Sequence, residues 1–320
     1  MIGPFTHNID PVIATIGGVH IWWYGLSFTL GFLSLHIFLR RSRKDLGLSL
    51  SQVYTLTLFI AAGILIGGRS VVVFNNEWGF YGNHLYYIPA IWLGGFASHG
   101  LIVGGALGVA LFCWIYRRPV RPVFDVLAIA ACLILGWGRI GNFIDGQIYG
   151  SVTDFPLAVK FPEAEGYRHA VVLYDGLKNF LLAPLLIWIR RRGVPEGRIA
   201  ALFVVLYSGL RIPIDMFRDY PITMWGFPTG QTLNFLMFGA GIVLLTVNLL
   251  RNRKVSEETA APPASVSPPI WKKIAFAALL VIPLVIPSDA TRDIPDRYGK
   301  RHPGLVHSWM YPAIADEVNQ

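Results

Sequence analysis

Charge is what this 320-residue sequence has least of. Asp, Glu, Lys and Arg make up 14% of it, against about 25% in soluble domains, while 54% of its residues are hydrophobic and its mean hydropathy is +0.51. That balance excludes a soluble fold and places the chain in lipid. Cysteine is scarce as well. Cys113 and Cys132 both fall in apolar runs, so neither a disulfide framework nor a thiolate metal site is supported. The chain has no HExxH, no Walker loop, no GxSxG elbow and no cluster of His and Cys at metal-ligand spacing. Metal, nucleotide and serine-hydrolase chemistry therefore find no support, and no cofactor is implied. Without an internal repeat, an inverted-repeat transporter gains none either. The first twenty residues lack a basic n-region and a small-residue cleavage site, so no removable signal peptide is expected.

What the sequence does have is eight apolar runs, at 21–39, 53–74, 96–116, 123–143, 171–189, 199–217, 231–250 and 270–287. Each is close to the roughly 20 residues that a spanning helix needs. Sixteen of the 27 Lys and Arg residues lie in four clusters, at 40–44, 117–121, 190–198 and 251–273, and each cluster follows an odd-numbered run. The positive-inside rule then predicts cytoplasmic clusters and both termini outside. Residues 75–98, on the opposite side, contain no Lys or Arg and are rich in Trp and Tyr, as an outer interfacial belt should be. The net charge of +8 thus marks topology rather than a nucleic-acid surface. Residues 251–269, charged and then rich in Ala, Pro and Ser, read as a flexible cytoplasmic linker. The linker separates a core at 1–250 from an appended span at 270–287 and an outer tail at 288–320. The core is expected to fold without residues 258–320.

The stretch GWGRIGNFIDGQIYG at 136–150 stands out. Arg139 and Asn142 share a helix face near the end of a span, and a guanidinium at that depth is costly unless something needs it. Gly136, Gly138 and Gly141 leave the helix bare where a neighbour or ligand can approach, and Gly146 and Gly150 end it. On the predicted topology Tyr24, Arg69, His99, Arg139, Asn142, Arg211 and Asp215 all lie toward the outer ends of their spans. This one-sided clustering points to a site. Arginines at headgroup level suit a phosphate, so the natural ligand is an anionic phospholipid. Asp215, four residues after Arg211, is placed for a local ion pair, and Arg69 equally suits pairing with a neighbouring span. His99 carries the ring best suited to take a proton at neutral pH.

These residues resemble the phosphatidylglycerol–prolipoprotein diacylglyceryl transferases, integral membrane enzymes that begin bacterial lipoprotein maturation. The resemblance rests on WYGL at 23–26, GGR at 67–69, His99-Gly100, GRIGNFI at 138–144 with Gly146 and Gly150, Leu173-Tyr174, Arg211 and Gly230-Gln231, in order from about residue 10 to 250. It implies an all-α polytopic fold with seven spans and a small periplasmic head, at 144–170, in the bacterial inner membrane. It also implies transfer of a diacylglyceryl group from phosphatidylglycerol to the lipobox cysteine of a prolipoprotein signal peptide, leaving glycerol phosphate. His99 would be the base, and Arg139 and Arg211 the phosphate clamp. Tyr24, Arg69, Asn142, Gln147, Gly150, Tyr174 and Asp215 would contact substrate. The nucleophile belongs to the substrate, which explains why the site needs no cysteine of its own.

Three places depart from the family pattern. Glutamates are usual where this chain has Gln147 and Asp215, and the motif His-Pro-Ser-Gln-Leu-Tyr-Glu is reduced to HAVVLYD at 169–175. An amide neither carries charge nor acts as a base at neutral pH. Two other readings therefore stand beside the first: a related lipid-headgroup transferase with a different donor or acceptor, and a non-catalytic phospholipid-binding membrane protein.

Overall fold

The computed structural model describes residues 4–219, 226–251, 266–288 and 293–313. Most of the proposed linker, at 252–265, lies outside the described residues. Each apolar run forms a helix: α1 (Trp23–Arg41), α2 (Leu50–Val71), then after the single turn α3 (Trp78–Tyr81) come α4 (Ser98–Ile115), α5 (Val120–Ile144), α6 (Val171–Arg190), α7 (Arg198–Asp215), α8 (Thr229–Leu250) and α9 (Ile270–Val281). Among the described residues, Leu50–Asn75, Val120–Ile144, Val171–Arg190 and Gly230–Leu250 are long and apolar enough to cross a membrane, and Gly100–Ile115 is a shorter apolar helix. α9 is shorter than its apolar run because the chain tightens into a 3-10 turn at Ile282–Val285, where Pro283 cannot donate to a helical ladder.

Helix entries have local causes. Ser49 and Gln52 form a reciprocal capping box at the start of α2, with bonds of 3.0 and 3.2 Å. α7 starts after Gly197, which adopts φ +83°, and its first N–H groups are capped from another helix. Asp125 of α5 accepts from the backbone of Gly197 at 2.7 Å and of Ala200 at 2.8 Å.

The most extensive helix pairings are α2 with α4, α1 with α5, α5 with α6, and α7 with α8. Glycine makes the first possible. A methyl on Gly104 would lie 1.9 Å from the carbonyl oxygen of Gly63, and one on Gly67 would lie 2.3 Å from that of Gly100. The two backbones touch, which is the packing mode available where lipid offers no hydrophobic driving force. Buried Phe32, Leu35, Leu56 and Ile60 centre one core between α1 and α2, and Ile129, Leu182 and Leu186 centre another between α5 and α6. α8 is peripheral, with most of its length exposed to the surroundings of the bundle.

Contacts between loops sort by end, as the charge alternation requires. Arg190 binds Ser42 and Asp45, Arg118 reaches Gln52, and Arg198 binds Asn248, all at the end bearing the basic clusters. At the other end the antiparallel hairpin β2 (Val12–Ile16) and β3 (Val19–Trp22) leads into α1, and the short strand β1 (Phe5–Thr6) pairs in parallel with β4 (Val159–Lys160) from the α5–α6 connection. That connection packs Val159, Phe161 and Ala170 under Phe143 and Tyr149.

The C-terminal segment, read in the sequence as an appendage, is packed into the same body. α9 lies on α1 and α2: Lys272 donates to the Ser51 hydroxyl at 2.9 Å and the Thr55 hydroxyl at 2.7 Å, and Thr29 donates to the Leu280 carbonyl at 2.7 Å. Beyond it, the short helix α10 (Ile294–Tyr298) and residues up to Tyr311 bury Ile294, Tyr298, Leu305 and Met310 against Val12, Trp22 and Leu93.

Candidate active site

Three helices bring their charges to one point. On α5, Arg139 donates from Nε to Oδ2 of Asp175 on α6 at 2.6 Å, and from Nη1 to Oδ1 of Asn142 at 3.3 Å, as their spacing of three predicts. On α7, Arg211 donates from Nη1 to the same Oδ2 of Asp175 and from Nε to Oδ1 of Asp215 at 2.9 Å. Lys178 holds the other oxygen of Asp175 at 2.8 Å, Arg218 lies 3.5 Å from Asp215, and Asn234 of α8 donates to Asp215 at 2.6 Å. Among the described residues four cations thus surround two carboxylates, all buried except the half-buried Arg218. Arg139, Ile148, Val171, Asp175, Arg211 and Arg218 line a small crevice at this point.

The remaining sequence-predicted residues divide. Tyr24 hydrogen-bonds Asn142, and Gly141 lets it come close: a methyl there would meet the Tyr24 ring at 2.9 Å and the Ser27 hydroxyl at 2.8 Å. Gly150 is a crossing point, because its added methyl would lie 2.5 Å from the Phe217 carbonyl and 2.8 Å from His169 Cβ. Its strand-like bridge to Arg218 ties the exits of α5 and α7. Gln147 donates to the Tyr298 hydroxyl at 3.2 Å, and the Tyr174 hydroxyl lies 3.3 Å from Nδ1 of His169. Arg69 is not brought to the cluster. Its guanidinium donates to the carbonyls of Ile88, Gly94, Tyr87 and Ala90 at 2.5–3.1 Å and lies 4.9 Å from the Tyr81 ring centroid. His99 stands in the first turn of α4, and its side chain lies outside the described residues.

Sequence reasoning missed Asp175, Lys178, Arg218 and Asn234 as members of the cluster. For Asp175 a signal existed: it is the acidic residue that closes HAVVLYD, where the family motif ends in glutamate. Asn179, one turn further along α6 on the same face, is fully buried with neither amide atom hydrogen-bonded among the described residues. An apolar groove lined by Leu101, Phe124, Ala131, Leu135, Phe203 and Val204 runs along α4, α5 and α7. Leu135 lies one helical turn before Arg139, and Val204 two turns before Arg211, so the groove leads toward the cations.

An apolar helical bundle with buried, paired guanidiniums beside an apolar groove defines the class as a helical membrane protein with a charged cluster among its helices. The sequence profile described as prolipoprotein diacylglyceryl transferase matches residues 11–247. A phosphatidylglycerol–prolipoprotein diacylglyceryl transferase of Geobacter sulfurreducens is 36% identical over 261 residues, covering 78% of this chain and 98% of its own. Proteins of the same name from Nitrosomonas europaea, 36% identical over 74% and 89% of the two chains, and Mannheimia succiniciproducens, 34% identical over 71% and 86%, are similarly related. The chain belongs to the prolipoprotein diacylglyceryl transferase family. α9, α10 and the packed C-terminal residues follow the matched region.

Proposed function

We propose that this chain transfers the diacylglyceryl group of phosphatidylglycerol to the lipobox cysteine thiol of a prolipoprotein, at the outer leaflet of the bacterial inner membrane. The observation that carries this reading is the pair Arg139 and Arg211 converging on Asp175 among buried helices. Among the described residues four cations face two carboxylates in a low-dielectric setting, a positive surplus that a bound phosphate would balance. The apolar groove on the same helix faces suits acyl chains.

In the reaction the thiolate sulfur bonds to the glyceryl carbon, the carbon–oxygen bond to phosphate breaks, and its electron pair leaves on the oxygen of glycerol phosphate. The thiol proton passes to a base, the role assigned to His99 by the family resemblance. Arg139 and Arg211 meet the charge that grows on the leaving phosphate. Tyr24, through Asn142, orients the headgroup. The eight helices formed by the apolar runs cross the membrane in this proposal, with both termini outside and residues 144–170 as a periplasmic head. The sorting of loop contacts by end supports it.

Purified protein, labelled phosphatidylglycerol and a lipobox peptide test the reading. Thioether product from the wild type is expected; none, under conditions where a relative works, overturns it. Gln147 favours a second reading, a phospholipid-binding protein that has lost the reaction, because an amide cannot take a proton. Product from Gln147→Glu but not from the wild type would select that second reading.

A further inference from the structure

The segment that follows the family-matched region closes over the turn by which α5 leaves the arginine cluster. That turn is strained. Gly146 sits at φ +71° and Ile148 at φ +61°, and a β-branched residue in the left-handed region is costly unless its surroundings hold it there. Ile148 is also a wall of the crevice beside Arg139, Arg211 and Arg218.

Among the described residues, three from the C-terminal segment hold the turn. The Ser288 backbone donates to the Asp145 carboxylate at 3.1 Å, Arg301 donates to the Asp145 carbonyl at 3.0 Å, and the Tyr298 hydroxyl receives Nε2 of Gln147 at 3.2 Å. Tyr298 is fully buried, and its ring centroid lies 5.2 Å from that of Trp22, two residues before the Tyr24 that meets Asn142. Arg301 also donates to the Ile9 carbonyl at 3.3 Å, so the same segment clasps the N-terminal strands. A phenol hydroxyl both donates and accepts, so it orients an amide whichever way the amide is turned.

We propose that the C-terminal segment is a brace for the active site and that Tyr298 is a positioning residue, fixing Gln147 and, through the 145–148 turn, the wall of the phosphate crevice. The catalytic part of this inference rests on the transferase reading; the brace does not.

The test is a double-mutant cycle on the full chain in detergent, with Tyr298→Phe, Gln147→Ala and both together. Tyr298→Phe keeps the ring against Trp22 and removes only the hydroxyl. Each single change should lower kcat about three- to tenfold, the worth of one buried hydrogen bond. The double variant should be no slower than the slower single one, because the two side chains act as one unit. Multiplying losses, or no loss in either single variant, would overturn the pairing. Amide exchange over 145–148 is read on the same samples and needs no turnover. It should rise in Tyr298→Phe while the thermal midpoint barely moves. Faster exchange with no product from the wild type removes the transferase reading and keeps the brace; unchanged exchange removes the brace.

Discussion

The Nε–H of Arg139 meets Oδ2 of Asp175 at 2.6 Å across the α5–α6 interface, and the oxygen that receives it also receives Arg211 from α7. One carboxylate oxygen therefore sets the separation of the two guanidiniums that would clamp a phosphate. Asp175→Asn keeps the shape and removes the charge, leaving Arg139, Arg211 and Lys178 to repel one another. Breaking a buried ion pair on one side costs about 3–5 kcal/mol. The variant should unfold at markedly lower temperature in detergent and make little product, whereas Asp175→Glu, which restores the family's residue type, should retain more of both. Wild-type melting and turnover in Asp175→Asn would remove the carboxylate from the site.

Arg139→Ala and Arg211→Ala should each lower turnover about a hundredfold, the typical loss when one donor to a developing anion is removed, about 3 kcal/mol. Arg69→Ala should behave differently. Its donors are spent on four carbonyls of the 87–94 loop, so its loss should lower the thermal midpoint and leave kcat of the folded fraction near wild type. Equal kinetic losses at all three arginines, with unchanged melting for Arg69→Ala, would put Arg69 in the clamp.

Gly150→Ala introduces a methyl 2.5 Å from a backbone carbonyl, a collision that no side-chain rotation relieves. Overpacking of this kind costs about 1–3 kcal/mol, and the displaced segments carry Arg218 and the start of α6. A lower thermal midpoint together with weaker phosphatidylglycerol binding is expected. Loss of turnover with unchanged melting and binding would instead assign Gly150 a direct contact with substrate.

Much of this could be read from the sequence because it is local. Apolar runs become helices wherever lipid forces backbone groups to pair internally. The spacings of Arg139 with Asn142 and of Arg211 with Asp215 place each pair on one helix face, and both pairs form. The helix-facing role of Gly141 follows from its lack of a side chain. What stayed hidden is long-range. Asp175 and Arg139 are 36 residues apart, and their meeting depends on how α5 and α6 pack. The carbonyls that hold Arg69 belong to an irregular loop with no period to read. The C-terminal residues lack periodicity too, since Trp22, Tyr298 and Tyr311 pack as single large side chains rather than as a helix face.

The last prediction concerns acid, and it follows from histidines at the junction of the N-terminal strands with the C-terminal segment. His20 is buried, shares a hydrogen bond of 2.8 Å with the Thr15 hydroxyl, and packs on Trp22, Tyr311 and His302, whose ring is 2.9 Å from Asp10. Burial, aided by the charge of His302 and opposed by that of Asp10, holds His20 below the usual histidine range. His7, bonded to the Phe143 carbonyl at 2.7 Å, is lowered chiefly by burial, with Arg301 of the C-terminal segment adding to the effect. For each, the unfolded chain takes up a proton near pH 6.5 that the folded chain refuses. Stability is therefore complete above the unfolded value and is lost as pH falls through it toward the lowered folded value, by at most about 1.4 kcal/mol per pH unit for each histidine. The thermal midpoint in detergent should fall between pH 7 and pH 5.5, and amide exchange in the C-terminal segment should rise with it. His20→Gln keeps a hydrogen-bond partner for Thr15 without titrating, so its profile should be flatter. An equal slope in His20→Gln would mean that the acid sensitivity arises elsewhere, and a flat profile in the wild type would mean that neither buried histidine is held neutral.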